Sequence, residues 1–402
     1  MNKATPAATG PLAGVRILDL TAVVLGPLAT QILGDYGADI IKVEPLEGDL
    51  MRANGVSRHP GMSSNFLALN RNKRSLAIDL KSAHGVAVLK RLLPQIDVLV
   101  HNMRVPAIER LGLGYAAVAA LKPDIVYCVA TGYGQHGPDA DKPAFDDIIQ
   151  AACGLVGLNS LGRDAPEYVP SLIADKTTGM ALVNAVLAAL FCRERSGQGQ
   201  YVEVPMLETM VAFTLAEHLG GLTFEPPQGP AGYARLLGGG RKPAPTKDGH
   251  IALLPYTADH WRAFFTAAGR ADLADKYGNC DREARNAQVA DMYRDMVAAT
   301  PARSSAEWLA LCAALDIPAT LVYDIDDLTD HPHLQAVGLF ELCDHESEGR
   351  LRQVRPPVRF TATPANVRRG APLLGQHSDE VLLEAGLVAE EIVQLRDVGV
   401  IR

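Results

Sequence analysis

The sequence predicts an α/β protein built on a doubly wound parallel sheet. Short apolar runs, suited to buried strands, alternate with segments of helical periodicity through the first half of the chain. Glycine and proline separate these segments, as at Gly37 and Pro45. Strands separated by helices of this length are typical of a parallel sheet with helices on both faces.

The predicted elements follow in chain order. Strands are expected at residues 15–20, 39–44, 75–80, 98–100, 125–129 and 201–204. Helices are expected at residues 28–34, 85–93 and 175–195. A Gly/Pro-rich stretch over 226–245 then breaks the alternation and indicates a linker or mobile loop. A smaller, separate domain is expected beyond it, with a strand at 249–254, a helix at 259–268 and helical patterns to about residue 314, before a short helix at 390–396.

Bulk composition excludes several classes of partner. The chain has 402 residues, enough for two domains or one elaborated domain, and its net charge is -8. A mildly acidic chain has no overall attraction for nucleic acid or an anionic membrane, so we expect neither as a partner. A polyanionic ligand would need a local cluster of basic residues.

Cysteine usage and hydropathy indicate a cytoplasmic protein. The six cysteines are dispersed without a Cys-x-x-Cys pair, which is typical of reduced thiols. Residues 1–6 have no apolar segment of the kind found in secretory signals. The longest apolar stretch, residues 180–191, is expected to be too short to span a bilayer and to form a buried helix.

Familiar cofactor and nucleophile motifs are absent from the sequence. The turn at 21–27 lacks the glycine triplet of dinucleotide-binding proteins, and the chain has neither a Walker A sequence nor a Gly-x-Ser-x-Gly elbow. The His-Pro-His tripeptide at 331–333 has no neighbouring carboxylate–histidine set, so we predict no metal. The glycine triplet at 238–240 is either a flexible surface loop or a functional lid.

A series of motifs in a fixed order is more specific evidence of function than the composition is. They are Pro-Leu-Ala-Gly-Val-Arg-Ile-Leu-Asp-Leu-Thr at 11–21, Gly-Pro at 26–27, Gly-Ala-Asp-Ile-Ile-Lys-Val-Glu-Pro at 37–45, Asn-Arg-Asn-Lys-Arg-Ser at 70–75, Asp-Leu-Lys at 79–81, His-Asn-Met-Arg at 101–104, Ala-Asp-Lys-Thr-Thr-Gly at 174–179, Ser-Gly-Gln-Gly-Gln at 196–200 and Pro-Leu-Leu-Gly-Gln-His at 372–377. In this order they resemble the family III CoA-transferases, which include formyl-CoA:oxalate and carnitine CoA-transferases. The resemblance covers nearly the whole chain, and residues 226–314 are its least diagnostic part.

The resemblance implies a particular domain organisation and assembly. A large CoA-binding domain would use both chain ends, residues 1–205 and 330–402, with a smaller α+β domain inserted at 225–325. Residues 206–224 and 326–329 would link the two. The family also implies an interlocked homodimer, with an acyl-CoA and a small carboxylic acid as substrates and no permanently bound cofactor.

Asp175 matches the catalytic aspartate of the family. A carboxylate can attack an acyl-CoA thioester to give a mixed anhydride, and the released thiolate can then form an enzyme-CoA thioester. Because Asp175 falls where a helix begins, the helix dipole is expected to favour its ionised form. From position alone, a simple helix N-cap is an alternative role.

Eight further residues match the CoA site of the family by position. Those for the adenine and pantetheine are Val23, Ile78, Asn102 and Met103, and the candidates for the phosphates are Lys81, Arg104, Arg110 and Lys142. Each cation is also compatible with a solvated surface position. Pro45 stands where some relatives place a CoA-binding arginine, and Met103 replaces a phenylalanine whose apolar contact its thioether can keep.

Two other functions compete with CoA transfer. An acyl-CoA racemase needs a proton carrier on each face of the α-carbon, and related racemases carry Gly-His-Asp where this chain has Ala-Phe-Asp at 144–146. Asp146 could substitute for the missing histidine, or it could cap a helix. A CoA-binding protein without turnover is disfavoured by the retained Asp175.

The acid pair is not defined by the sequence. We expect a small dicarboxylic acid such as succinate, because Arg52 or Arg241 could pair with a distal carboxylate, although both are compatible with surface positions. The glycine triplet and Tyr256 could line the acyl pocket.

Overall fold

The chain forms two compact units. The computed structural model describes residues 9–238 and 240–402. Unit 1 comprises the described parts of Met1–Val156, Tyr168–Phe213 and Val337–Arg402, and unit 2 comprises the described parts of Gly157–Glu167 and Thr214–Ala336. The prediction of no secretory signal concerns residues 1–6, which lie outside the described residues. Gly239 of the glycine triplet also lies outside them.

A six-stranded parallel sheet is the centre of unit 1. Its strands are β1 (Arg16–Leu20), β2 (Asp39–Glu44), β3 (Lys73–Ala77), β4 (Val98–His101), β5 (Val126–Thr131) and β6 (Gln200–Pro205). The strand order is β3-β2-β1-β4-β5-β6, and every neighbouring pair is parallel. The predicted α/β fold with a parallel sheet is therefore confirmed. The order reverses between β1 and β4, which is where open sheets of this kind bind ligands.

Helices connect the strands. Up to residue 218 they are α1 (Leu25–Asp35), α2 (Ser64–Leu69), α3 (Ala83–Leu92), α4 (Val105–Arg110), α5 (Tyr115–Leu121), α6 (Asp146–Ala152), α7 (Leu155–Asn159), α8 (Ile173–Ser196) and α9 (Met206–His218). Short 3-10 helices lie at Leu50–Ala53, Leu93–Gln95, Gly220–Thr223, Thr300–Ala302 and Asp326–Asp330.

The two faces of the sheet are buried in two separate cores. Successive strand residues point to opposite faces, so Ile17 packs on one side and Leu18 on the other. The Ile17 side is covered by apolar residues of α1, α6 and α8. The Leu18 side is covered by α3 and by the end of the chain. Burial on both faces explains why the strands are continuous apolar runs in the sequence.

Helix α8 matches the helix predicted at 175–195 and is three residues longer. It has 24 residues, and polar residues lie on both sides of its apolar stretch at 180–191. Among the described residues, the complete helix is the one that is long and apolar enough, by length and composition alone, to cross a membrane. Its Leu182 and Val186 are nevertheless buried in the protein core, and the helix contacts α1, β5 and β6.

Unit 2 has its own antiparallel sheet and core. The sheet consists of β7 (Ala244–Pro245), β8 (His250–Leu253) and β9 (Ala319–Leu321). Its helices are α10 (Ala234–Leu237), α11 (Ala258–Ala267), α12 (Ala271–Gly278), α13 (Arg282–Ala287), α14 (Val289–Ala299), α15 (Ser305–Ala314) and α16 (Pro332–Ala336). Trp308, Phe264 and Phe265 are buried at the centre of this core.

The end of the chain belongs to unit 1. It contains the antiparallel hairpin β10 (Phe340–His345) and β11 (Gly349–Val354), followed by α17 (Ser378–Glu384) and α18 (Ala389–Asp397). Helix α17 contacts β3 and α3, and Ile401 forms a backbone bridge with Ile78 just beyond β3. The last residues thus complete the Leu18 side of the core.

Candidate active site

A cavity of about 350 Å³ lies at the carboxyl ends of β1, β4 and β5. This is the switch point of the sheet, where loops from neighbouring strands diverge and leave a crevice. The lining residues, all from unit 1, are Leu20, Ala22, Val23, Val24, Leu25, Asn102, Met103, Arg104, Ala130, Thr131, Gly132, Gln135, Ala140, Lys142, Pro143, Ala144, Phe145, Asp175 and Met206. Most are apolar, and Asp175 is the carboxylate among them.

Asp175 is the third residue of helix α8. The helix begins at Ile173, and its N-cap is Leu172, which has no side-chain oxygen to accept a hydrogen bond. The alternative role of Asp175 as an N-cap is therefore wrong. Its carboxylate is left at the border of the cavity.

Asp146 supplies the cap that Leu172 lacks. Its Oδ1 accepts a hydrogen bond of 2.9 Å from the backbone N–H of Asp175, and its Oδ2 accepts one of 2.6 Å from Nε2 of Gln150. Gln150 is fully buried and its side chain also bonds Val169, so the carboxylate of Asp146 is firmly held. Asp146 begins α6 but caps α8, so of the two roles raised by the sequence the structure shows that of a helix cap.

The environment of Asp175 disfavours its ionised form. Burial, and then the negative charge of Asp146, raise the pKa of Asp175 to about 7. The sequence led us to expect that the helix dipole favours ionisation, but desolvation and a like charge shift the pKa of Asp175 in the opposite direction. Near neutral pH the carboxylate is therefore a relatively basic one, as suits a nucleophile.

The turn between β1 and α1 has a strained backbone. Val23 adopts φ 73°, a left-handed conformation that is rare for β-branched residues. The Asn102 side chain accepts from Ala22 N–H at 3.0 Å and donates to Ala22 O at 2.8 Å, while Asp49 Oδ1 accepts from Val23 N–H at 3.2 Å. Asn102, predicted as a CoA contact, thus also holds the turn that lines the cavity.

Buried charges support this turn from beneath. Lys42 is fully buried and donates to Asp49 Oδ2 at 2.8 Å and to the carbonyl of Thr21 at 2.9 Å. Lys73, also fully buried, donates to Asp19 at 3.1 Å. Both lysines come from strands, and their pairing inside the protein stabilises the loop without placing either ammonium in the cavity lining.

Six of the nine predicted site residues line the cavity. They are Val23, Asn102, Met103, Arg104, Lys142 and Asp175. Lys142 is exposed and pairs with Asp139 at 2.7 Å, and Met103 also packs against the core.

The other three predicted residues lie outside the cavity lining. Ile78 is buried in the core, whereas Lys81 and Arg110 are exposed. A side-chain contact from Ile78 to CoA is therefore not supported by the structure.

Sequence reasoning missed several residues of the site. Thr131, Gln135 and Met206 line the cavity, and Gln150 holds Asp146 beside it. A signal was available for Thr131 because it follows the predicted strand at 125–129, and strand ends form such crevices. Gln150 carried no local signal.

Arg52 does not have the role that the sequence suggested. Its guanidinium is buried and donates to both carboxylate oxygens of Glu44, at 2.7 and 2.8 Å, and to the carbonyls of Gly61 and Pro372 at 3.2 Å. The guanidinium also lies 3.8 Å from the centre of the Phe66 ring. All of its donors serve the protein, so the expectation that Arg52 pairs with a substrate carboxylate is wrong.

Unit 2 contains the other candidates for acid recognition. Arg241 lines a cavity of that unit together with Tyr293 and Met296, and Tyr256 is exposed. In the described part of the chain, no group of three His, Cys, Asp or Glu side chains is placed to hold a metal ion.

The fold and the cavity are those of an α/β enzyme with a carboxylate at its candidate ligand site. Comparison with known proteins identifies the family of enzymes to which it belongs. The model of CoA-transferase family III matches residues 12–378. A succinate–glutarate CoA-transferase of Agrobacterium fabrum is 32% identical over 381 residues, covering 93% of this chain and 95% of the relative. The beta subunit of a succinyl-CoA–L-malate CoA-transferase of Chloroflexus aurantiacus is 32% identical, covering 98% of each chain.

A solved structure agrees with these relatives. A variant of Rv3272 from Mycobacterium tuberculosis superposes with a TM-score of 0.81 at 28% identity, covering 93% of this chain and 99% of that one. The chain belongs to CoA-transferase family III and is a CoA-transferase that uses CoA thioesters as substrates. The racemase alternative is not favoured by these relatives.

Proposed function

We propose that this enzyme moves CoA from an acyl-CoA to an acceptor carboxylic acid through an aspartyl-CoA thioester on Asp175. The observation that carries the proposal is the position of Asp175 at the border of the switch-point cavity, with its backbone held by Asp146. A raised pKa makes its ionised form more basic than an ordinary carboxylate.

The proposed reaction is a balanced sequence of acyl exchanges. An oxygen of Asp175 attacks the thioester carbonyl carbon, the C–S bond breaks, and CoA leaves as a thiolate. The thiolate attacks the side-chain carbonyl of the resulting anhydride, releasing the donor acid as a carboxylate and leaving aspartyl-CoA. The acceptor carboxylate then attacks aspartyl-CoA, breaking its C–S bond, and this gives a second anhydride and a CoA thiolate. The thiolate attacks the acceptor acyl carbon of that anhydride, which forms the new acyl-CoA and releases Asp175 as a carboxylate. No net proton transfer is needed.

We propose that CoA runs along the turn at Val23 and past Asn102 and Met103. Val23 and Met103 offer apolar contact to the pantetheine, and the exposed cations Arg104 and Lys142 suit the phosphates. Lys81 and Arg110 remain candidates for phosphate contacts beyond the cavity, as CoA is much longer than the cavity is wide. Ile78 is retained only as a residue whose backbone could contact the ligand.

The acid pair is proposed to include a small dicarboxylic acid such as succinate. The names of two similar enzymes, a succinate–glutarate and a succinyl-CoA–L-malate transferase, support this class. Arg241 is the remaining arginine proposed to pair with the distal carboxylate. Replacement of Arg241 by Ala should lower kcat/KM for succinate much more than for butyrate, a monocarboxylate of equal chain length. Equal losses for the two acids would contradict the assignment.

A cytoplasmic, interlocked homodimer is the proposed assembly, with domains at 1–205 plus 330–402 and at 225–325. Exposed apolar side chains on unit 1 support association of subunits: Phe145, Ile148, Met180, Phe191 and Phe213. Native mass spectrometry should give twice the chain mass of 42.9 kDa. A monomer at micromolar concentration would contradict the dimer.

The central experiment is detection of the intermediate. The purified enzyme is incubated with succinyl-CoA and other short acyl-CoA donors, trapped with hydroxylamine or borohydride, and mapped by peptide mass spectrometry. The trapped product should lie on Asp175, and Asp175→Asn should abolish it. Asp147→Asn, at an exposed acid next to Asp146, is the matched control and should react normally. Failure to trap an adduct, together with solvent deuterium at the α-carbon, would instead indicate a racemase.

A further inference from the structure

Thr131 carries an unused buried hydroxyl at the cavity. It is the last residue of β5, it is only 8% exposed, and it lines the cavity that Asp175 borders. Its Oγ1 is buried and has no hydrogen-bond partner among the described residues. A buried hydroxyl normally finds a partner, so an unpartnered one at a ligand cavity indicates a polar ligand atom.

Three other buried hydroxyls of unit 1 are bonded within the protein. Thr21 and Thr30 donate to opposite oxygens of Asp19 at 2.5 and 2.6 Å, and Ser75 donates to Glu44 at 2.7 Å. The network beneath the cavity is thus satisfied, whereas Thr131 at its wall is not. The difference between them is that Thr131 lines the cavity.

The backbone around Thr131 is held rigidly. Gly132 O accepts from Leu207 N–H at 3.1 Å, and Glu208 accepts from Gly134 N–H at 2.9 Å. A Cβ at Gly132 would lie 2.4 Å from the Cβ of Ala144, so this turn is closely packed against Ala144. A donor on such a support keeps its position through the reaction, which is what stabilisation of a developing charge requires.

We propose that the Thr131 hydroxyl donates a hydrogen bond to the acyl oxygen that becomes negatively charged when Asp175 attacks the thioester. This inference rests on the proposed role of Asp175. During the attack, the carbonyl π electrons move to oxygen while the Asp175 O–C bond forms, and Thr131 stabilises that oxyanion. When the C–S bond breaks, the electrons return to the carbonyl and the proton stays on Thr131 throughout.

The test compares three variants in a single-turnover assay of adduct formation and in steady-state transfer. Thr131→Val keeps the shape and removes the hydroxyl, and it should lower kcat by roughly 10²-fold, as loss of one oxyanion donor does, with little change in KM. Thr131→Ser keeps the hydroxyl and should retain most of the rate. Thr178→Val is the matched control, because Thr178 also has a buried, unpartnered hydroxyl among the described residues but does not line the cavity. It should turn over like the wild type.

Three results would overturn the inference. One is a kcat of Thr131→Val within twofold of the wild type, the second is a loss confined to KM, and the third is an equally slow Thr131→Ser. The wild-type trapping reaction separates this inference from the proposed function. A wild type that forms no Asp175 adduct contradicts the role of Asp175, whereas a normal adduct in both wild type and Thr131→Val contradicts only the role of Thr131.

Discussion

The backbone N–H of Asp175 donates a 2.9 Å hydrogen bond to Oδ1 of Asp146, and this contact links the start of α8 to the start of α6. The contact has two effects. It satisfies a helix donor that Leu172 cannot reach, and it places a negative charge beside the proposed nucleophile. A single carboxylate therefore contributes to both the position and the proton affinity of Asp175.

The rate of adduct formation is expected to rise with pH through about 7. Burial and Asp146 raise the pKa of Asp175 to about 7, and only the deprotonated form attacks. Single-turnover rates with succinyl-CoA between pH 5 and 9 test this. A rate already at its plateau at pH 5 would contradict it.

Replacement of Asp146 by Asn should move this pH profile to lower pH. Asn keeps an oxygen that can accept from the N–H of Asp175, but it removes the charge that helps raise the pKa of Asp175. The control is Asp147→Asn, at an exposed acid of the same helix, which should leave the profile unchanged. An unshifted profile in Asp146→Asn would show that burial alone sets the pKa.

Replacement of Asp146 by Ala should destabilise the protein by about 1–2 kcal/mol, because an N-cap hydrogen bond is lost. Gln150 would also lose the acceptor of its 2.6 Å bond while buried. Urea unfolding measures the change, and Asp146→Asn should recover part of it. Equal stability of Asp146→Ala and wild type would contradict the capping role.

The pKa of Asp175 also predicts a pH dependence of stability. Because the folded pKa is raised, the native state binds more protons than the unfolded state between about pH 4 and 7, so the free energy of unfolding should fall as pH rises through this window. The decrease should reach a few kcal/mol, at about 1.4 kcal/mol per pKa unit. Asp175→Asn, compared with wild type by urea unfolding at several pH values, should lack this component.

Replacement of Asn102 by Ala should raise KM for acyl-CoA and lower stability. The amide holds Ala22 at both its N–H and its carbonyl, and the adjacent Val23 stays in a conformation that costs about 1–3 kcal/mol. Asn102→Asp keeps the acceptor but not the donor, so it should be intermediate. Wild-type KM and melting temperature in Asn102→Ala would contradict the turn-holding role.

The strands were predictable where their residues are apolar, and less so where charges are buried. β1 and β2 lie at or within one residue of their predicted limits, but β3 begins at Lys73 instead of residue 75. Lys73 and Arg74 are buried because carboxylates from other segments pair with them. The sequence gives no local sign of those partners, so charged residues at a strand start are interpreted as surface.

The candidate site, like the strands, could be predicted from the sequence only in part. The nucleophile candidate and the turn at Val23 could be located by motif, because the residues are contiguous in sequence. The contact of Asp146 with Asp175 joins segments 29 residues apart, and it depends on how α6 packs against α8. Such a contact is a property of tertiary packing, which periodicity does not encode.

The apolar lining of the cavity has a consequence for the fate of an activated intermediate. A thioester or anhydride on Asp175 is as open to attack by water as by an acid, and hydrolysis would waste the donor. Leu20, Leu25 and Met206 line part of the cavity and offer a water molecule no hydrogen-bond partner from their side chains. An acid brings its own charge and can be held by cations, whereas water has no comparable anchor. The ratio of CoA transfer to hydrolysis should therefore depend on how well the apolar part of the cavity lining excludes water.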